Sequence, residues 1–298
     1  MKKFIVVTGG AGFIGSNLIE LLLKKTKLKI ISYDDYSTGK KKNHINNKRV
    51  IYLKGHTFNI SKKLHSLKNS ISDIFHFGEF SRLTQSFNEH DRCFDSNILG
   101  SLKVINFCLK NKIKIIYSAT SASLGNDQRD QHLSPYAFSK ATNMNLIMNY
   151  NQWFGLKYEI IYFYNVYGPK QILNSNMAAV VGIFESCYKK NQPMPIVLPG
   201  TQSRRFTHIT DTVEACYLAW KKNKNSHYSI SSKKSYSILA LAKMFSAKKI
   251  FLEKKRGERF KSTTITKIRG KKIINLYSKK DIKKYIHQFK FKSSILKK

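Results

Sequence analysis

Tyr136 and Lys140 stand four residues apart in Ser134-Pro135-Tyr136-Ala137-Phe138-Ser139-Lys140. Serine is a good helix N-cap and proline suits the first turn, so a helix is expected to open here. That helix would place the phenol and the ammonium one turn apart on the same face. A phenol titrates near ~10 and is a poor base at neutral pH. A neighbouring ammonium favours the phenolate and brings it towards the working range. Such a pair suits removal of a proton from a hydroxyl as hydride leaves its carbon. In so lysine-rich a chain the spacing also arises by chance, and it gains meaning only from its company.

That company begins at Thr8-Gly9-Gly10-Ala11-Gly12-Phe13-Ile14-Gly15, between an apolar run and a helical pattern. Gly9 at the strand end permits a tight turn, Gly12 lets backbone approach a pyrophosphate, and Gly15 lets helix and strand pack closely. The helix N-terminus, with Phe13 and Ile14 in its first turn, points free N–H groups at the phosphates. Asp34, in Ile31-Ser32-Tyr33-Asp34-Asp35, follows at the end of the second apolar run. A carboxylate there accepts from the adenosine ribose hydroxyls and repels a 2′-phosphate, which predicts NAD over NADP. Asp35 competes for that role.

These groups need a frame. Residues 4–8, 28–33, 50–53, 73–77, 113–118 and 160–165 read as strands, and 14–25 and 93–110 as helices. Strands alternating with helices imply an α/β fold whose parallel sheet is covered on both faces. After Pro169 the character changes: a helix is expected over 174–190, a proline-rich loop and strand over 193–200, and a helix over 211–220. The chain is therefore divided at 1–169, with a later returning segment near 205–230, and at 170–298, mainly a substrate-binding lobe.

Bulk properties set outer bounds. The 298 residues, 42% hydrophobic, can bury a sizeable core. Net charge is +37, from 54 Lys and Arg against 17 Asp and Glu. A basic chain can bind nucleic acid. Here the lysines are spread over loops and helix faces and far outnumber arginine, as compositional drift in an AT-rich coding sequence would leave them, so nucleic acid is not expected as a partner. The apolar run after Lys2 and Lys3 stops at Thr8, too short for a signal peptide, and nothing reaches the length of a membrane span. The four cysteines, Cys93, Cys108, Cys187 and Cys216, are scattered. They form neither CxxC pairs nor a disulfide ladder, so no metal site is expected and a reduced, cytoplasmic setting is.

In order along the chain, Thr8 to Gly15, Asp34, Tyr136 to Lys140 and Asn165-Val166-Tyr167-Gly168-Pro169 resemble the extended short-chain dehydrogenase/reductase family. The resemblance covers nearly the whole chain and is nearest to UDP-glucose 4-epimerase-like sugar-nucleotide epimerases. It implies a Rossmann-type doubly wound parallel sheet with a smaller C-terminal substrate-binding lobe, NAD as cofactor, and a UDP-linked sugar as substrate. It also implies a homodimer formed through helices near 93–110 and 135–150. Tyr117-Ser118-Ala119-Thr120-Ser121-Ala122-Ser123-Leu124-Gly125 resembles the family's YASSSSVYG stretch, which puts Thr120 in the hydroxyl position with Ser118 and Ser121 as neighbours of the same kind. The implied catalytic set is Thr120, Tyr136 and Lys140. Tyr136 takes the proton of the 4-hydroxyl as C4 gives hydride to NAD, Lys140 holds the nicotinamide ribose, and the 4-keto sugar turns over and accepts hydride on its other face. Dehydratases of the family carry Asp-Glu after that threonine, whereas Ser121-Ala122 follow it here, and neither is a general acid.

For the diphosphate the resemblance implies Asn165 and Arg204, the latter in Gly200 to Asp211, with Arg205 where the family has Asp. A second arginine falls at Arg256 or Arg259, in a turn that resembles RPGD. His76 and His208 read as packed structural histidines. Three departures stand out. Phe75 to Arg82 replaces an HLAA-type segment with one containing Glu79 and Arg82, read as an ion pair near the nicotinamide, a substrate selector or a loop brace. Asn59 or His56 takes the adenine-contacting aspartate's place. The stretch from Thr120 to Tyr136 is short. A reductase, decarboxylase or dehydratase on the same scaffold is the alternative, and a basic RNA-binding relative without catalysis the more distant one.

Overall fold

The protein is described by a computed structural model covering residues 3–124, 129–254, 256–257, 259, 264 and 266–295. Strand β1 (Phe4–Thr8) leads through helix α1 (Phe13–Lys25) to β2 (Lys29–Asp34) and β3 (Val50–Lys54). The short α2 (Ile60–Lys63), then β4 (Ile71–His76), α3 (His90–Phe94), α4 (Ser101–Lys110), β5 (Lys114–Thr120), α5 (Pro135–Phe154) and β6 (Tyr158–Phe163) complete the first half. The runs of Ile, Val, Tyr and Phe in these strands suit a sheet buried on both faces. Helix α5 starts as its sequence requires: the Ser134 hydroxyl accepts the Ala137 N–H at 3.1 Å, with proline in the first turn. It ends at Gly155, whose φ of 72° is the left-handed cap that glycine adopts without strain.

The second half continues with β7 (Val166–Tyr167), α6 (Val180–Lys189), β8 (Met194–Val197), β9 (Ser203–Arg205), β10 (Thr207–His208) and α7 (Ile209–Lys222). After β11 (His227–Ser231) come β12 (Ser235–Ser237), α8 (Ile238–Phe245), β13 (Lys249–Leu252), β14 (Lys267–Ile268), β15 (Lys271–Tyr277) and α9 (Ile282–Ile295). The large sheet has nine strands in the order β14-β15-β11-β6-β5-β4-β1-β2-β3. Its strands run parallel except β14, which pairs antiparallel with β15. The chain thus re-enters this sheet twice from the second half, at β11 and again at β14 and β15. The second return, at 267–277, carries no signal in the sequence reading.

Two cores lie on the two faces of the sheet. One packs Val104, Ile105 and Cys108 of α4 and Met144 and Ile147 of α5 against β4, β5 and β6. The other packs Leu18, Ile19 and Leu22 of α1 and Val213, Cys216 and Ala219 of α7 against β1. A third core, with Phe184, Ile196, Leu241, Phe245 and Ile286, holds the smaller lobe together. Each fully buried side chain of this size contributes about 1.5–3 kcal/mol by leaving water.

Two expected helices differ in detail. The span 93–110 is broken: a π-helical segment, Asp95–Gly100, joins α3 to α4. At Gly100 a Cβ would lie 2.3 Å from the Thr57 hydroxyl, so the bulged turn sits too close to its neighbour for a side chain. The helix expected over 174–190 begins only at Val180. Its first residues instead line the cleft as irregular chain, with the Met177 carbonyl accepting from the Arg82 guanidinium.

Candidate active site

A cavity of about 1290 Å³ opens at the carboxyl ends of β1, β2, β4, β5 and β6 and extends to the smaller lobe. Gly9, Gly12, Phe13, Ile14, Gly15, Asp34, Thr120, Tyr136, Lys140, Asn165, Arg204 and Arg259 all line it. Such a position, where strand order reverses between β1 and β4, is where doubly wound sheets bind dinucleotides.

At one end the wall is backbone. Gly9 has φ +68°, and its N–H donates to the Tyr33 carbonyl at 2.8 Å. A Cβ on Gly15 would lie 2.2 Å from the Gly9 carbonyl oxygen. The N-cap of α1 is Gly12, which brings no side chain to the first-turn N–H groups. A turn this close with an uncapped helix start fits a diphosphate. The Asp34 carboxylate, 5% exposed, accepts the Ala11 N–H at 2.9 Å and the Tyr36 N–H at 2.8 Å. Burial pushes this carboxyl up from its ordinary range, while those N–H groups pull it down. Its remaining lone pairs suit ribose hydroxyls. Asp35 also borders the cavity, as do His56 and Asn59 where an adenine contact is expected.

At the other end the wall is side chain. Tyr136, Lys140 and Asn143 project from one face of α5 at spacings of four and three. The Lys140 ammonium donates to the Glu79 carboxylate and to the Ser118 carbonyl. Glu79 also accepts from the Ser101 hydroxyl at 2.9 Å, the Tyr117 hydroxyl at 3.0 Å and the Asn143 amide at 3.0 Å. Glu79 and Arg82 therefore form no ion pair with each other: Arg82 turns to the carbonyls of Met177 and Ser81. The Thr120 hydroxyl oxygen accepts the Ala122 N–H at 3.1 Å, which leaves its own proton to donate into the cavity.

Behind this wall the donors fix one arrangement of protons. The Thr8 hydroxyl accepts from the N–H groups of Phe77 and Gly78 at 3.1 and 3.0 Å, so it donates to His76 Nδ1 at 2.8 Å. His76 Nε2–H then donates to the Ser101 hydroxyl at 2.8 Å, and Ser101 donates to Glu79. Burial holds His76 down to about 4, in keeping with a neutral ring. Asn97, in the π-helical segment, clamps Phe80 through both its backbone groups at 2.7 and 3.0 Å. Its carbonyl takes the Asn143 amide. Neither Asn97 nor Asn143 was singled out in the sequence. For Asn143 the signal was present, as the next position on the Tyr136 and Lys140 face.

Towards the smaller lobe, Asn165 is held at φ 39° with its amide donating to the Arg205 carbonyl at 3.0 Å. Of the neighbouring arginines, Arg204 borders the cavity, while Arg205 turns away to the carbonyls of Ser232 and Lys233. Arg256 is exposed and does not border the cavity. Arg259 does border it, 8% exposed, with Nε on Asp130 at 2.7 Å and Nη1 on the Ser121 hydroxyl at 3.5 Å. His208 is a cap, its Nδ1 accepting the Thr210 N–H at the start of α7. Part of the short stretch between Thr120 and Tyr136, residues 125–128, lies outside the described residues.

Known proteins resemble this chain. The model of the NAD dependent epimerase/dehydratase family matches residues 5–231. An uncharacterized UDP-glucose epimerase of Bacillus subtilis is 32% identical over 227 residues, 70% of each chain. A UDP-N-acetyl-alpha-D-glucosaminuronate decarboxylase of Bacillus cytotoxicus is 27% identical, over 81% of this chain and 79% of its own. Among solved structures, a UDP-N-acetylglucosamine 4-epimerase of Methanobrevibacter ruminantium, in complex with UDP-N-acetylmuramic acid, superposes with a TM-score of 0.82 at 27% identity. That match covers 99% of this chain and 98% of the other. With its glycine turn, its strand-two aspartate and its Tyr-xxx-Lys helix on one cavity, the chain belongs to the NAD-dependent epimerase/dehydratase family.

Proposed function

We propose that the protein is an NAD-dependent UDP-sugar 4-epimerase. The observation that carries this is that Thr120, Tyr136 and Lys140 share one cavity with the glycine turn and Asp34, while Ser121 and Ala122 give the position after Thr120 no general acid. NAD supplies a reversible acceptor for the hydride at C4. Tyr136 takes the proton of the 4-hydroxyl, Thr120 donates a hydrogen bond to that oxygen, and Lys140 favours the phenolate. Asn165, Arg204 and Arg259 hold the diphosphate. A homodimer through α4 and α5 is part of the same reading. It is supported by Phe138 of α5, which is 47% exposed, and by its edge contact with Phe94 of α3. The thiols of Cys93, Cys108, Cys187 and Cys216 are free, which suits the cytoplasm.

The test is incubation with UDP-glucose, UDP-galactose and their N-acetyl forms without added reductant, the sugars resolved by NMR. Interconversion is expected in the natural protein, with turnover lowered about 10²- to 10⁴-fold in Tyr136→Phe while NAD stays bound. Absence of interconversion with all four sugars would sink this assignment. Loss of CO2 or water in the same spectra would instead identify a decarboxylase or dehydratase.

A further inference from the structure

Glu79 is a carboxylate inside the cavity wall, its side chain 2% exposed against a Lys140 side chain 5% exposed. Four donors converge on it, from Lys140, Ser101, Tyr117 and Asn143. Such a set, all donors, is what an acceptor-only ionised carboxylate takes. The donors come from helix α4, strand β5 and two positions on α5, so the group is held from several sides. Two of the three N–H bonds of Lys140 are committed to Glu79 and the Ser118 carbonyl. Its Nζ also lies 3.5 Å from the Ser118 hydroxyl.

The other titratable and charged groups facing this pair do not offset its charge. His76, from β4, is neutral by its hydrogen bonds. Cys93, from α3, is pushed up to about 11 by burial, and Tyr117, from β5, is raised far above its ordinary range by the same cause. Arg82 adds positive charge and is turned to carbonyls. Tyr136 stands one turn before Lys140 on α5. Glu79 is thus the carboxylate that answers the Lys140 ammonium.

A dinucleotide laid with its ribose at Asp34 and its diphosphate on the glycine turn crosses the switch point towards β4 and β5. That is where Glu79 and Lys140 stand. The nicotinamide ring is cationic when oxidised and neutral when reduced. A lone buried ammonium beside it would favour the reduced form; a neutral ion pair would not.

We infer that Glu79 is a positioning residue for this chemistry: it fixes the Lys140 ammonium and offsets its charge, so that the ammonium does not bias the site towards reduced cofactor. The inference rests on NAD as cofactor and not on the identity of the sugar. The sequence marked Glu79 only as a departure, and the structure gives it this partner.

The test measures the affinities of cofactor-free protein for NAD+ and for NADH separately, by titration calorimetry at neutral pH with no sugar nucleotide present. In Glu79→Gln the affinity ratio should move about tenfold towards NADH. In Lys140→Met, which leaves the carboxylate alone, it should move towards NAD+. The double variant Glu79→Gln/Lys140→Met buries no net charge and should return to the natural ratio. It also provides a folded reference if a single variant, with its unpaired buried charge, is too unstable to titrate. Ser101→Ala, which keeps both charges, should leave the ratio within about twofold. One ratio shared by all folded variants would overturn the inference. Because no sugar is used, its failure is separate from failure of the epimerase assay.

Discussion

The two ends of the cavity are built by different means. At the proposed cofactor end the wall is main chain: Gly9, Gly12 and Gly15 bring the turn close, and Asp34 is steadied by backbone N–H groups. At the proposed sugar-nucleotide end it is side chain, drawn from far apart: Arg259 and Asp130 are 129 residues apart in sequence. A main-chain site has no spare room, and any added carbon disturbs it. A side-chain site can be retuned one group at a time, which suits a family whose members share a cofactor and differ in sugar.

The sharpest way to break this contrast is Gly15→Ala. Its Cβ would meet the Gly9 carbonyl oxygen at 2.2 Å and the Gly10 Cα at 2.8 Å, neither of which is a flexible side chain. We expect loss of bound NAD and about 1–3 kcal/mol of stability, read from cofactor content and chemical denaturation. Retention of NAD by this variant would refute a close-packed turn. At the sugar end the effect should be graded. Arg259→Gln is expected to raise KM for the sugar nucleotide about tenfold, with kcat changed only a few-fold, as the loss of one charged hydrogen bond predicts. Arg256→Gln, outside the cavity, should change neither constant, and equal effects from the two would contradict the placement of Arg259.

The smallest effect concerns both halves alike. Burial lowers His76, His208 and His227 to about 4, below the ordinary value of 6.5. The folded protein then binds fewer protons than the unfolded chain between these values. The stability these histidines give is complete above about pH 6.5 and is lost as pH falls towards about 4. His208→Asn can keep the cap on α7 while removing one of the three. The fall in unfolding free energy from pH 6.5 to 4.5 should become shallower, by up to roughly 1.4 kcal/mol per pH unit, with activity at neutral pH little changed. An unaltered slope would place the acid sensitivity elsewhere.

What the sequence revealed follows the same division. The glycine turn, Asp34 and the start of α5 are local patterns, set by steric room and capping within a few residues, and each lies where the pattern points. Strands and helices of the first half were legible because the apolar period is itself local. The partners of Glu79 were not, since they depend on which loops the sheet order brings together. Nor was the late start of α6 at Val180: Met177, Ala178 and Ala179 are held as irregular chain at the cleft. Of the two candidate arginines near the end of the chain, only the folded cavity distinguishes Arg259 from Arg256.

The order in which the large sheet is filled also bears on how the protein is made. Strand β11 pairs on one side with β6 and on the other with β15, whose residues 271–277 follow most of the smaller lobe in the chain. During synthesis, a ribosome that has passed β11 therefore carries a sheet whose β11 edge stays bare until some forty further residues emerge. Open strand edges pair readily with other chains. Translational speed between β11 and β15, and chaperones near the exit tunnel, should govern how much of the newly made chain reaches its native state.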